Sequence, residues 1–496
     1  MIRFKGKDRG LVVVANRLPF TRTVDDRGKT VWKKAAGGLI TGLEPILLDA
    51  NGIWLGWDGY PAQSLGDKKI DLLDVREIES KEDLKRKEGK SYRIGCIPIT
   101  AKQIDAYYNR FSNGTLWALF HYFFEKSFID YSAWRTYLEV NKLFAGYIDK
   151  FAKKDDIIWI QDFHLFMTPY YLRKLRPDQE IHFFLHIPFP HIDIFSILPW
   201  QRQILESLLC CNTVGFHHRQ YLRNFGEAVE RYRKEKKASG EKTMEEKTRT
   251  HFYVNPISID FDLMDKTSRK PEVMKRKEEI KQEAKCPKII VGIDRIDYSK
   301  GIKERLLGLM MLLEEHPELK EQFFYYQLVV PSREDVKSYR HLKKEIDEII
   351  GRLNGKYSTG LWSPVHYNYG TVPFDELVAL YSAADIGLVT PLRDGMNLVC
   401  KEYVAAHSDN DGVLVLSKFA GAISEIKNCL PVNPYSIEDI ANAIYQALHM
   451  PKAERKKRMV KMRNNIKHNN INTWLQNCLH NFELSGEAEK KKQGLG

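Results

Sequence analysis

A run from Thr390 to Tyr403, TPLRDGMNLVCKEY, joins residue types that could hold a phosphorylated ligand. The apolar stretch Ile386 to Val389 just before it reads as a buried strand. Asp394-Gly395 then mark a turn, and an apolar helical pattern follows from Leu398 to Ala406. Backbone N–H groups at the start of such a helix point at whatever lies above the sheet edge, which suits a phosphate. Asp394 could accept from a sugar hydroxyl, and Glu402 from a ribose diol. Taken alone, the same letters also describe a capped helix with a solvated glutamate, so the remainder of the chain has to decide.

Other segments offer matching chemistry. Asp294-Arg295-Ile296-Asp297-Tyr298-Ser299-Lys300-Gly301 follows an apolar strand and precedes a helix. Arg295 brings a planar fork and Lys300 a point charge, a pair suited to a diphosphate. Arg333, in Pro331-Ser332-Arg333, adds a third cation at a strand end. Each could singly be a surface salt bridge. Arg17 closes the strand Leu11 to Asn16, and ligands of open α/β sheets bind at such ends. Gly37-Gly38 open a helix and would let a backbone approach a phosphate closely, or simply make a turn. They do not form the dinucleotide fingerprint G-x-G-x-x-G, so NAD is not indicated. Tyr107, Tyr108 and Trp117 form an aromatic cluster that could stack a sugar or fill a core; the same choice applies to Trp54 and Trp57. Asp162 and His186 each follow an apolar strand, placing polar groups at two more sheet edges. Asp260-Phe261-Asp262 has the form of a metal-binding DxD, but its place at a domain junction favours a structural role.

These residues need a parallel scaffold, and the pattern supplies one. Short apolar runs alternate with helical periods, as in α/β architecture. Strands are expected at 11–16, 157–161, 182–186, 213–216 and 252–255, then at 288–294, 325–330, 386–390 and 413–416. Helices are expected at 304–316, 334–353, 375–384 and 436–450. Two doubly wound halves follow: residues 1–257, residues 258–485 and a polar tail at 486–496 expected to be disordered. Trp474, Leu475, Cys478, Leu479 and Phe482 form an apolar helical stripe that could cross the domain junction or cap the second domain.

The 496 residues carry a net charge of +12 and are 43% hydrophobic, the balance of a globular protein with room for two cores. No apolar run approaches the roughly 20 residues of a membrane span, and no secretory signal is visible. Seven cysteines without metal or disulfide spacing point to a reduced cytoplasm. The basic excess suits anionic small molecules, and no nucleic-acid motif accompanies it.

The motifs NRLP (Asn16–Pro19), GGL (Gly37–Leu39), YYNxFSNxxLW (Tyr107–Trp117), FFLHIPFP (Phe183–Pro190), DRxDYxKG (Asp294–Gly301), VPSRxDV (Val330–Val336), GRxNGKY (Gly351–Tyr357) and TPLRDGMNLVxKEYVA (Thr390–Ala405) occur in that order. Together they resemble the trehalose-6-phosphate synthase family of retaining glycosyltransferases. The resemblance implies two Rossmann-like, doubly wound domains facing a cleft, the GT-B arrangement. It implies a nucleotide-diphosphate glucose donor, most simply UDP-glucose, and glucose 6-phosphate as acceptor. Arg295 and Lys300 would bind the diphosphate, helped by backbone amides in the run Gly395-Met396-Asn397-Leu398-Val399 and by Gly37 and Gly38. Glu402 would bind the ribose, and Asp394 and His186 the glucosyl hydroxyls. Arg17, Tyr108, Trp117 and Arg333 would take the acceptor phosphate, with Trp57 and Asp162 beside it. The expected catalytic set is Arg295, Lys300, His186 and Asp162. No cofactor and no metal is called for, no membrane or nucleic acid is expected as a partner, and a homo-oligomer is left open. One departure concerns Gln161-Asp162-Phe163-His164-Leu165, where the family usually has HDYHL. Related enzymes make glucosylglycerol phosphate from glycerol 3-phosphate, and a non-catalytic sugar-phosphate sensor is the other alternative.

Overall fold

The computed structural model describes residues 2–4, 7–25, 30–35, 38–62, 71–79, 89–239, 250–332 and 337–492. The chain divides into two compact units: 1–256 together with 474–496, and 257–473.

The first unit is built on an eight-stranded sheet. In chain order its strands are β1 (Leu11–Arg17), β2 (Ile53–Trp57), β3 (Leu73–Asp74), β4 (Arg93–Cys96), β5 (Ile157–Gln161), β6 (Ile181–Leu185), β7 (Thr213–Phe216) and β8 (His251–Val254). They lie in the order β8-β7-β6-β5-β1-β2-β4-β3, all parallel except the β3–β4 pair. Strands β2, β5, β6 and β7 are buried along their whole length. Parallel strands covered on both faces need this continuous apolar character rather than alternation. From β1 the chain winds outward through β2, then returns to β5 on the other flank and winds the opposite way. The direction therefore reverses between β1 and β5, and their carboxyl ends flank the crevice where such sheets bind ligands. Helix α1 (Gly38–Ala50) leads into β2. A π-helix over Ile104–Trp117 precedes the long helix α2 (Tyr131–Phe151).

The second unit repeats the plan with six parallel strands: β9 (Lys288–Arg295), β10 (Phe323–Val330), β11 (Val365–Tyr369), β12 (Ile386–Val389), β13 (Val413–Ser417) and β14 (Leu430–Val432). Their order is β11-β10-β9-β12-β13-β14, so the reversal falls between β9 and β12. Helix α3 (Ile302–Glu315) follows β9, and α4 (Phe374–Ala383) precedes β12. Helix α5 (Val399–Ala406) follows β12.

The nine strands expected from the sequence are present, with ends displaced by no more than two residues. Strands β2, β3, β4, β11 and β14 were not anticipated. The final helix, α6, runs Ile471–Lys492. Its residues from Trp474 onward count with the first unit, whereas the sequence reading gave residues up to 485 to the second domain. The expected tail from 486 is helical backbone as far as 492, and 493–496 lie outside the described residues. Trp474 and Phe482 of α6 are buried against Trp159 of β5, at ring separations of 5.4 and 5.3 Å.

Candidate functional site

In the second unit the two loops at the reversal are knitted together. The loop after β9 carries Arg295, Lys300 and Gly301; the loop after β12 carries Asp394 to Leu398. Leu392 N donates to Ser299 O at 2.7 Å across the two. Gly301 sits at φ +66°, and a Cβ there would lie 2.2 Å from the carbonyl oxygen of Thr390, so only glycine lets the loops approach. Lys300 Nζ consequently reaches Asp394 Oδ2 at 2.5 Å, with both side chains mostly buried. Asn397 Nδ2 donates to the same carboxylate oxygen at 3.1 Å. Asn397 also holds a left-handed backbone, φ +74°, a conformation asparagine tolerates better than most residues. Its Oδ1 accepts from Cys400 N at 3.2 Å, which caps α5. The backbone N–H groups of Gly395, Met396, Asn397, Leu398 and Val399 meet no acceptor among the described residues. Together they make a row of open donors at a helix start, next to an ammonium. Arg295 is exposed and forms no ion pair among the described residues.

Glu402, one turn into α5, accepts from Tyr381 Oη at 3.0 Å. Burial raises its pKa above the ordinary carboxylate value, and the Tyr381 hydrogen bond opposes that shift.

Two buried cations supporting this unit escaped the sequence reading. Arg305 is fully buried on α3. It donates to Asp294 Oδ2 at 2.8 Å, Tyr325 Oη at 3.0 Å, Thr390 Oγ1 at 3.1 Å, Gln327 Oε1 at 3.2 Å and Lys300 O at 3.3 Å. One guanidinium thus ties β9 and β10 to the segment that follows β12. Burial works against its charge, but Tyr325 and Asp294 outweigh that and raise its pKa. The signal was there: an arginine within the apolar stripe Ile302, Leu306, Leu309 of a helix. Lys401 is buried beside Glu402, and donates to Glu425 Oε2 at 2.6 Å and to Ile257 O at 2.9 Å.

In the first unit the reversal between β1 and β5 gathers the aromatic residues. The Arg17 guanidinium lies 4.5 Å from the Trp57 ring centroid, a cation–π contact. Burial lowers its pKa, while Tyr108 and Asp58 act in the opposite sense. A Cβ at Gly59, φ +87°, would come within 2.3 Å of Arg17 Nη2, so this glycine clears the guanidinium's place. Tyr108 meets Trp57 edge-on at 6.1 Å and stacks on His164 at 5.7 Å. Trp117 packs against Phe163 at 5.8 Å. Asp162 itself has φ +71° just after β5, and its Oδ1 accepts from His186 N at 3.1 Å. The structure therefore brings Arg17, Trp57, Tyr108, Trp117, Asp162 and His186 to one sheet edge.

His186 is held by two partners. Its Nε2 donates to Gln161 Oε1 at 2.9 Å, which leaves Nδ1 to accept from His217 Nε2 at 3.2 Å. Burial pulls its pKa down to about 3, so the ring is neutral near neutral pH. His217 carried no sequence signal.

Gly38 is the first residue of α1. Gly37 and Arg333 lie outside the described residues. Asp260 caps the helix Phe261–Ser268, its Oδ1 accepting from Leu263 N at 2.9 Å, in line with a structural role. Among the described residues no His, Cys, Asp or Glu cluster could hold a metal, and no helix is long and apolar enough to cross a membrane.

Comparison with known proteins places these features in a family. The model for glycosyltransferase family 20 matches residues 9–484. The trehalose-6-phosphate synthase of Mycolicibacterium paratuberculosis is 37% identical over 488 residues, covering 96% of each chain. The UDP-forming α,α-trehalose-phosphate synthase A of Dictyostelium discoideum is 37% identical over 450 residues. That match takes in 90% of this chain but only 59% of that longer protein. Among solved structures, the UDP-forming α,α-trehalose-phosphate synthase of Burkholderia xenovorans in complex with glucose-6-phosphate superposes with a TM-score of 0.83 at 31% identity, over 96% of this chain and 100% of that one.

Proposed function

Since the chain belongs to glycosyltransferase family 20, we propose that it transfers glucose from UDP-glucose to glucose 6-phosphate with retention, giving α,α-trehalose 6-phosphate and UDP. The observation that carries this reading is the row of open backbone donors at the start of α5 beside Lys300, a cradle for a nucleotide diphosphate. The glucose-6-phosphate complex of the Burkholderia relative supports the acceptor.

The second unit holds the donor. Arg295, Lys300 and the amides of 395–399 bind the diphosphate, Glu402 the ribose diol, and Asp394 a glucosyl hydroxyl. Arg17, Trp57, Tyr108, Trp117, Asp162 and Arg333 receive the acceptor in the first unit. His186, neutral, offers a hydrogen bond to the glucosyl group once its contact with Gln161 or His217 is exchanged. The sequence offers no obvious carboxylate pair for double displacement. In the step we favour, the acceptor hydroxyl oxygen bonds to the glucosyl anomeric carbon as the bond from that carbon to the phosphate oxygen breaks. The departing phosphate oxygen takes the hydroxyl proton on the same face. The protein contributes position and positive charge where the diphosphate leaves. Seven cysteines with no disulfide among the described residues support a cytoplasmic setting.

The test is product analysis with UDP-glucose and either glucose 6-phosphate or glycerol 3-phosphate. Trehalose 6-phosphate from the first acceptor alone is the expected result; turnover of glycerol 3-phosphate alone would assign the chain to glucosylglycerol-phosphate synthesis. Arg295→Ala should lower kcat about 100- to 1,000-fold, the range for losing one preorganised charge-stabilising group. Near-normal turnover would remove Arg295 from the catalytic set.

A further inference from the structure

The π-helix over Ile104–Trp117 contains a polar side chain that the chain itself does not satisfy. Asn113 is 2% exposed, and neither its Oδ1 nor its Nδ2 has a hydrogen-bond partner among the described residues. A buried carboxamide with both ends unmade is costly, because each end gives up water and receives nothing in return. Such groups are rare in folded proteins and ask for an external partner.

The helix type says where this amide faces. Hydrogen bonds in a π-helix run from i to i+5, so residues four and five apart share a face. Tyr108 and Asn113 are five apart, and Asn113 and Trp117 are four apart. Asn113 therefore stands between the two aromatic residues, on the same face. Both flanking rings pack on one segment after β5: Tyr108 on His164 and Trp117 on Phe163. The opposite face supplies the core through Tyr107 and Phe111, which pack on Tyr137. In an α-helix of the same sequence the residues five apart would be rotated away from each other. The wider turn is what brings Asn113 into register with Tyr108 and Trp117.

We propose that Asn113 is a further acceptor-binding residue, its carboxamide donating to one hydroxyl of the acceptor sugar and accepting from another. An amide offers a donor and an acceptor side by side, and a pair of neighbouring sugar hydroxyls presents the complement. The inference rests on the reading of Tyr108 and Trp117 as the acceptor site, and adds selection for a polyhydroxylated ring. A site with a buried polar group discriminates strongly against an acceptor that leaves it unpaired.

The experiment pairs Asn113→Leu with single-deoxy analogues of glucose 6-phosphate, measuring kcat/KM for the acceptor, affinity for UDP and the melting temperature. For wild type, one or two deoxy analogues should lose about tenfold or more in kcat/KM, one hydrogen bond's worth. Asn113→Leu should lose about as much with glucose 6-phosphate, lose nothing further with those analogues, and bind UDP as wild type does. Unchanged acceptor kinetics in the variant would overturn the assignment alone. So would independent, additive losses from variant and analogue, and so would a wild type indifferent to every single deoxygenation, a readout that does not depend on the variant folding. A wild type that transfers to no sugar phosphate would overturn the proposed function, and the Asn113 assignment with it.

Discussion

Glu402 shows how much one side chain's surroundings decide. Its pKa is raised by burial above the ordinary value of 4.5. A ribose diol donates two hydrogen bonds and therefore prefers the ionised carboxylate. Affinity for UDP-glucose should then strengthen as pH rises through the shifted pKa, above the range where a surface glutamate titrates. Calorimetric titration carried upward in pH from the ordinary glutamate value should show the rise, and Glu402→Gln should flatten it. Stability runs the other way. The folded state holds this proton more tightly than the unfolded chain, so the contribution is complete below pH 4.5 and is lost as pH rises through the folded pKa. The types and spacings of Arg17, Lys300, Asp394 and Glu402 were readable because ligand groups cluster at strand ends. Arg305 and His217 were not. The apolar stripe of α3 marks the face on which Arg305 lies but not the partners it finds on β9 and β10, and no local pattern marks His217.

At the scale of elements, the two reversals, β1 beside β5 and β9 beside β12, put the functional loops at carboxyl ends of neighbouring strands. Strands such as Ile157–Gln161 were legible because burial on both faces demands an unbroken apolar run. Val365–Tyr369 was not: it is half polar, as an edge permits, and reads like a loop. The π-helix was legible only as an aromatic cluster, because a few residues of sequence do not distinguish its wider turn from the usual one. The loop after β9 makes the sharpest element-level prediction. Gly301→Ala would place a methyl 2.2 Å from Thr390 O. It would also impose the left-handed conformation on alanine, costing about 1–2 kcal/mol before any clash is relieved. A lower melting temperature and about a tenfold or greater rise in KM for UDP-glucose are expected, the scale of losing one well-placed contact to the diphosphate. Wild-type values would show that the two loops need no close approach.

For the molecule as a whole, the chain leaves the first unit after Pro256 and rejoins it at Trp474. The returning helix is anchored by reciprocal hydrogen bonds: Asn255 Nδ2 donates to Trp474 O at 2.8 Å, and Trp474 Nε1 donates to Asn255 O at 3.2 Å. Trp474→Ala should cost about 3–5 kcal/mol, the range for deleting a buried aromatic side chain. In calorimetry the loss should fall on the first unit's transition and spare the second's; an equal shift of both, or none, would count against α6 as part of the first unit's core. The apolar stripe of α6 was legible in sequence, but its destination was not, because a stripe records that a face is covered and not by what.

That discontinuity sets an order of assembly. On the ribosome the second unit is complete once residue 473 has emerged, whereas the first still lacks the helix that covers Trp159. Domains of a nascent chain usually mature from the N-terminus onward. Here the later-synthesised unit can close first, while β5 and β6 wait with an apolar face open until the residues from Trp474 to Phe482 emerge. A stop codon or a protease cut just before Trp474 would therefore act far upstream, leaving unfinished the part of the protein that was made first.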